Sequence, residues 1–306
     1  MKKIVVINFV ILILVLVLIE LCSYVAYSCK YKEHISVQWA NGNPVILKYE
    51  IPRKFSQDSY PYTSPIMRKF EKENSNKKPI AFVGCSFTKG SCLEDEETLA
   101  ARVSELTNRT AYLRGVDATG LSYVYYQILH KIVPQDVEYV IYTYIFGHLE
   151  RLYNYQLGFW STELNLRYEY KNGELKEARF PEGIVNSLFV TKLIQEKLAS
   201  VRAQEEQQTF KLFKIMMADL MVQFKKNYPN SKFVFISYPD SEGEHCKLPD
   251  VVVEYIKSLG CIYVDANELM GVNLGRIEYK VEGEGMHPNA QVWIDFAPRF
   301  VKELGL

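Results

Sequence analysis

The chain has 306 residues, with 36 lysines and arginines against 36 aspartates and glutamates. A neutral chain with no basic block argues against nucleic acid as a partner. An aromatic content of 13%, including 22 tyrosines, excludes a disordered chain and calls for a packed domain.

The first element in chain order is the apolar run Ile4 to Tyr27, whose most polar members are Asn8, Glu20 and Ser23. A helix of this length spans a hydrocarbon core. A cleaved signal peptide is the rival, but its apolar region is normally shorter and no A-x-A site follows. The run, within residues 1–29, is therefore expected to be an uncleaved single-pass transmembrane anchor. Lys2 and Lys3 precede it, while Lys30 and Lys32 are offset by Glu33. That asymmetry places the N-terminus in the cytoplasm and the domain outside it. Glu20 is expected at the outer interface.

Residues 30–78 read as a connecting region, with Val45 to Ile51 as a strand and turn-rich "SQDSYPYTSP" and "ENSNKK" after it. From Pro79 onward strands and helices alternate, which predicts a parallel sheet covered by helices. The strands are expected at Ile80–Val83, Thr110–Leu113, Tyr139–Ile145, Phe233–Tyr238 and Cys261–Val264. The helices are expected at Thr98–Leu106, Leu121–Ile132, Phe210–Phe224 and Ala290–Leu304, each with an apolar stripe at helical spacing. Such stripes are core and not cofactor boxes. An insertion at about 152–208 interrupts the alternation. It holds a hairpin, Leu166 to Phe180, turning at Asn172-Gly173, and a helix, Ser187 to Gln208, that is polar in its second half.

The six cysteines are Cys22, Cys29, Cys85, Cys92, Cys246 and Cys261, with no C-x-x-C pair, so a zinc knuckle is not expected. Cys85 and Cys261 read as small buried apolar residues. No G-x-G-x-x-G or Walker loop follows a strand, which argues against a nucleotide or flavin. Neither a cofactor nor a metal is expected.

Open parallel sheets place their sites at the C-terminal strand ends. Polar, glycine-rich residues gather there: Gly84-Cys85-Ser86; "RGVDATG", ending at Gly120; "IFGHLER", with His148 and Arg151; "YPDSEGEHC"; and "EGEGMHPNAQ". Acyl transfer needs a serine, a histidine to take its proton, an acid to hold the histidine, and donors for the oxyanion. Ser86, His287 and Glu284 fill the first three roles, with Glu282 as a second possible acid. The backbone N–H groups of Ser86 and Gly120 and the side chain of His148 are the candidate oxyanion donors. Each residue also has a bland role: Ser86 as a turn cap, His287 as a surface histidine before proline, and His148 as a structural hydrogen-bonding group. His245, near Asp240 and Glu242, is a weaker acid–base candidate.

"GCSFTKGSCLEDEETL" resembles the first block of the SGNH (GDSL-like) hydrolases, where a serine after a strand is followed by an acidic stretch and E-T-L. "EGMHPNAQ" resembles their last block, with an acid three residues before a histidine. The resemblance covers roughly Pro79 to Leu306. It implies a flavodoxin-like three-layer α/β sandwich and serine-dependent hydrolysis or transfer of acyl esters. It implies Ser86 as nucleophile and first oxyanion donor, His287 as base, Glu284 in the place of the usual aspartate, and Gly120 as the second donor. Two blocks depart from it. Gly115 stands where an asparagine often lies, five residues before the donor glycine. Gly147, followed by His148, stands where a side-chain oxyanion donor, asparagine, is usual. The chain is thus expected to be a membrane-anchored serine esterase or O-acyltransferase acting on acyl esters of cell-surface glycan or lipid. The alternative is a catalytically weak or inactive SGNH-like domain that binds glycan or a partner in a cell-envelope complex.

Overall fold

The computed structural model describes residues 15–25, 35–40, 43–48, 67–153 without 74 and 118, 166–179, 194, 197–198, and 201–306 without 203, 207, 244–246 and 284.

A six-stranded sheet forms the centre. Its strands are β3 (Arg68–Phe70), β4 (Ile80–Gly84), β5 (Ala111–Gly115), β6 (Tyr139–Tyr144), β9 (Lys232–Ser237) and β10 (Ile262–Asp265). They lie in the order β10-β9-β6-β4-β5-β3, and every pairing is parallel except that of β3 with β5. Two antiparallel pairs stand apart, β1 (Ile35–Ala40) with β2 (Asn43–Lys48) and β7 (Leu166–Lys171) with β8 (Glu174–Arg179). The second pair is the expected hairpin, and it turns at Asn172 and Gly173, both with positive φ.

The apolar runs become central strands because both of their faces are covered. In β4, Ile80 and Phe82 join one core while Ala81 and Val83 join the other. β6 divides likewise, with Ile141 on the first side and Val140, Tyr142 and Tyr144 on the second. Helices α2 (Leu99–Thr107) and α8 (Ala290–Leu304) close the first face through Leu99, Val103, Trp293, Phe296 and Phe300. Helices α3 (Leu121–Leu129), α5 (Lys211–Asn227) and α6 (Asp250–Ser258) close the second through Val124, Ile128, Phe213, Leu220 and Ile256. Burying each such side chain contributes about 1.5–3 kcal/mol. The result is the three-layer α/β architecture expected of the chain.

Local chemistry sets the helix ends. Thr98 caps α2 by accepting the Ala101 N–H at 3.3 Å, and Asn289 caps α8 by accepting the Val292 N–H at 3.1 Å. The acidic "LEDEET" segment is therefore a helix entry: Asp95–Glu97 forms a 3-10 turn with a capping box between Glu94 and Glu97. α3 ends at Leu129, three residues short of the expected boundary, because Lys131 turns to φ 54°.

Residues 15–25 are helical with exposed apolar side chains such as Leu16, Val17 and Leu18. Among the described residues no helix is long and apolar enough to cross a membrane. The rest of the Ile4–Tyr27 run lies outside the described residues. In the insertion, every described residue between 194 and 209 is helical, which agrees with a helix there. Cys22, Cys85 and Cys261 are free thiols, while Cys29 and Cys246 lie outside the described residues.

Candidate active site

β4 lies between β5 and β6, so the chain leaves it in opposite directions along the sheet. Such a switch point opens a crevice at the carboxyl end of the strand. Ser86 sits there, as the first residue of a one-turn helix, α1 (Ser86–Lys89).

The turn from strand to helix depends on Gly84. Its φ is +151°, and a Cβ there would stand 2.2 Å from Thr88 Oγ1. Only glycine tolerates both conditions. Thr88 Oγ1 donates back to the Val83 carbonyl at 3.3 Å, and Gly90, in the left-handed region, ends the helical turn. Ser86 is 7% exposed and follows the fully buried Cys85. Burial pushes that thiol up from its ordinary value, so Cys85 stays protonated and is no rival nucleophile. Cys261 is similar, pushed up to about 12 by burial.

The loop after β5 is tied to this elbow. The Val116 N–H donates to the Gly84 carbonyl at 2.9 Å. The buried Thr119 hydroxyl lies 2.7 Å from the Val116 carbonyl and 3.2 Å from that of Gly84. Gly120 follows as the residue before α3. No carbonyl among the described residues takes the N–H of Ser86 or of Gly120. Both expected backbone donors therefore lie in adjoining turns. Ser91 bonds Asp117 at 2.5 Å, and Lys89 forms an ion pair with the same carboxylate, which further fastens the loop to α1.

The departure at Gly115 has a steric cause. A Cβ there would stand 2.3 Å from the Lys89 nitrogen and 2.7 Å from the Cys85 carbonyl, both backbone atoms. α1 packs so closely on the end of β5 that asparagine has no room.

The loop after β6 leads into α4 (His148–Arg151). The Gly147 N–H donates to Asp240 Oδ2 at 2.9 Å, so this group is already engaged. His148 is 0% exposed and stacks on Tyr142 with an interplanar angle of 6°. Its Nδ1 lies 2.7 Å from the Tyr142 hydroxyl, and its Nε2 has no partner among the described residues. Burial, and then the Arg151 cation, hold its pKa well below the ordinary value. A neutral ring that takes the tyrosine hydrogen at Nδ1 carries its own at Nε2. Sequence placed His148 as a candidate oxyanion donor. The buried ring lies directly under Gly120, whose Cβ position is 3.4 Å from His148 Cδ2.

The last loop carries His287. The Val281 N–H donates to the His287 carbonyl at 2.8 Å, and the Asn289 N–H to the Tyr279 carbonyl at 3.0 Å. The His287 ring lies 5.1 Å from that of Phe87, the residue after Ser86. Elements some 200 positions apart in sequence thus meet at one edge of the sheet. Glu284 lies outside the described residues, as does His245, and Glu282 is exposed. Among the described residues no His/Cys/Asp/Glu cluster could hold a metal.

Lys280 is a site residue that no sequence pattern marked. It is 4% exposed, and its ammonium stands 5.7 Å from the Phe87 ring and 5.6 Å from the Tyr238 ring. It also donates to the Pro239 carbonyl at 3.4 Å. This cation ties the last loop to the loop after β9 and to α1. A lone lysine between Tyr279 and Val281 carries no periodicity that would have revealed it.

No protein-family model matches the chain, and neither does any curated protein. Among solved structures it is similar to a G-D-S-L family protein from Desulfitobacterium hafniense DCB-2. The identity is 10%, the TM-score 0.45, and the match covers 74% of this chain and 99% of that one. It is also similar to a catalytic mutant of Axe2, an acetylxylan esterase from Geobacillus stearothermophilus. There the identity is 12%, the TM-score 0.47, and the coverage 77% and 97%. Neither likeness carries an activity to this chain.

Proposed function

We propose that the chain is a serine-dependent ester hydrolase or O-acyltransferase. Ser86 is the nucleophile, His287 its base, and Glu284 the acid that orients the imidazole. The N–H groups of Ser86 and Gly120 receive the oxyanion. The observation that carries this reading is the meeting of two loops. A glycine-dependent elbow presents Ser86 at the switch point of the sheet, and the ring next to it packs on His287.

In the reaction a ring nitrogen of His287 takes the Ser86 proton while Oγ adds to the ester carbonyl. The tetrahedral oxyanion is held by backbone N–H groups that need no reorganisation. Collapse expels the alcohol, which takes the proton from His287. Water or an acceptor hydroxyl then releases the acyl group by the same steps. The substrate class is an acyl ester, with cell-surface glycan or lipid esters as the substrates if residues 1–29 anchor the domain outside the cytoplasm.

The test is labelling by a fluorophosphonate probe, with hydrolysis of a short acyl ester, in wild type and S86A. Labelling that requires Ser86 supports the assignment. Labelling that is absent, or indifferent to Ser86, removes it. A glycan acceptor added to the assay separates transfer from hydrolysis. The engaged N–H and absent side chain at Gly147 favour a second reading, a domain that binds without turnover. Glycan binding that survives both S86A and H287A, with no turnover on a wide ester panel, would establish it.

A further inference from the structure

The floor of the site holds a cation to which the described residues supply no anion. Arg151, at the end of α4, donates from Nη1 to the Thr119 carbonyl at 2.7 Å. Its positive charge also acts on the buried thiol of Cys85, the residue before Ser86. Arg151 Cβ would stand 3.3 Å from a Cβ on Gly120. The side chain thus runs between the two turns that carry the N–H groups of Ser86 and Gly120. It is partly buried, and no carboxylate pairs with it among the described residues. Arg68, Arg109 and Arg167 differ in this respect, since each has an acidic partner. A partly desolvated cation without a counter-ion is poorly compensated unless a ligand supplies the negative charge. The bond to Thr119 uses one of the five guanidinium hydrogens, which leaves donors free.

We propose that Arg151 is the side-chain donor to the oxyanion formed at Ser86, in place of the amide missing at Gly147. The inference rests on the assignment of Ser86 as nucleophile. As Ser86 Oγ bonds to the carbonyl carbon, the C=O electron pair moves onto oxygen. That oxygen then accepts hydrogen bonds from the two N–H groups and from the guanidinium. Arg151 donates hydrogen bonds and transfers no proton in this step. Its help is therefore needed most when the negative charge is greatest, which confines the effect to kcat. A purely structural Arg151, bracing the Thr119 turn, would not separate kcat from KM.

The experiment compares wild type, R151Q and R151K on p-nitrophenyl acetate, a neutral ester, with the rate of fluorophosphonate labelling as a second readout. Each variant is first checked by thermal melting. R151Q is expected to lose about 10²–10³ in kcat and in labelling rate, with KM changed by less than about threefold. R151K keeps a charge but not the planar fork, and about a tenfold loss in kcat is expected. A folded variant that retains wild-type kcat, or loses activity through KM alone, overturns the inference. Failure of both variants to fold assigns Arg151 to the scaffold and also overturns it. If wild type is labelled at Ser86 while the Arg151 variants keep full activity, only this inference falls. If wild type is not labelled at Ser86, the assignment of Ser86 falls and takes this one with it.

Discussion

Thr119 hangs the Gly120 turn from Gly84: its hydroxyl lies 3.2 Å from the Gly84 carbonyl and 2.7 Å from that of Val116. Because Gly84 is also the elbow that presents Ser86, one carbonyl sets the spacing of both backbone donors. T119V keeps the shape and removes the hydroxyl. The Gly84 carbonyl keeps the Val116 N–H and the Val116 carbonyl keeps the Thr119 N–H, so loss of the hydroxyl's bond costs about 0.5–1.5 kcal/mol. Urea unfolding should show that loss, and fluorophosphonate labelling of the folded variant should slow. Unchanged labelling would mean that the turn holds its place without Thr119.

G84A tests the elbow itself. A non-glycine residue at φ +151° carries backbone strain of about 1–3 kcal/mol, and its methyl meets Thr88 Oγ1. The variant should unfold at lower urea and lose Ser86 labelling. A variant with wild-type stability would show that the elbow relaxes freely.

G115N puts an amide side chain at the end of β5, beside α1. In this chain the new side chain would press on the backbone of Lys89 and Cys85. Overpacking of this kind costs about 1–3 kcal/mol, and displacing α1 moves Ser86. Lower stability and slower labelling are therefore expected. Faster labelling would show that the missing amide, and not the packing of α1, limits this site.

The pH dependence of stability follows from His148. Its pKa is depressed in the folded protein from an ordinary 6.5, by burial first and then by Arg151. The unfolded chain therefore binds the proton first as pH falls. Stability is fully present above about 6.5 and is lost below it, until the folded ring is protonated in turn. Within that window the slope from this one group approaches about 1.36 kcal/mol per pH unit. The check is urea unfolding of wild type and H148Q from neutral to acidic pH. The difference between them should shrink as pH falls below 6.5, and a constant difference would mean that His148 titrates alike in both states.

The central strands were legible in the sequence because burial on both faces leaves an unbroken apolar run, as in Ile80–Val83 and Tyr139–Ile145. The helices α2, α5 and α8 were legible from stripes that needed no partner to be seen. Strand β3 was not, since three residues with mixed character gain their identity only by pairing antiparallel with β5. α6 was also missed, although Val252 and Ile256 lie on its buried side.

By itself the sequence determined the alternation of elements and the chemistry at their ends, because periodicity and turn residues are local. It placed Ser86, Gly120 and His287 at one edge of a parallel sheet, and the structure shows all three there. Only the tertiary structure decided which groups face them. It closed His148 into the core, filled the space beside Gly115 with α1, engaged Gly147 with Asp240, and laid Lys280 and Arg151 under the elbow. Each of those outcomes is set by tertiary packing and by hydrogen bonds between separate elements, and no local pattern encodes it.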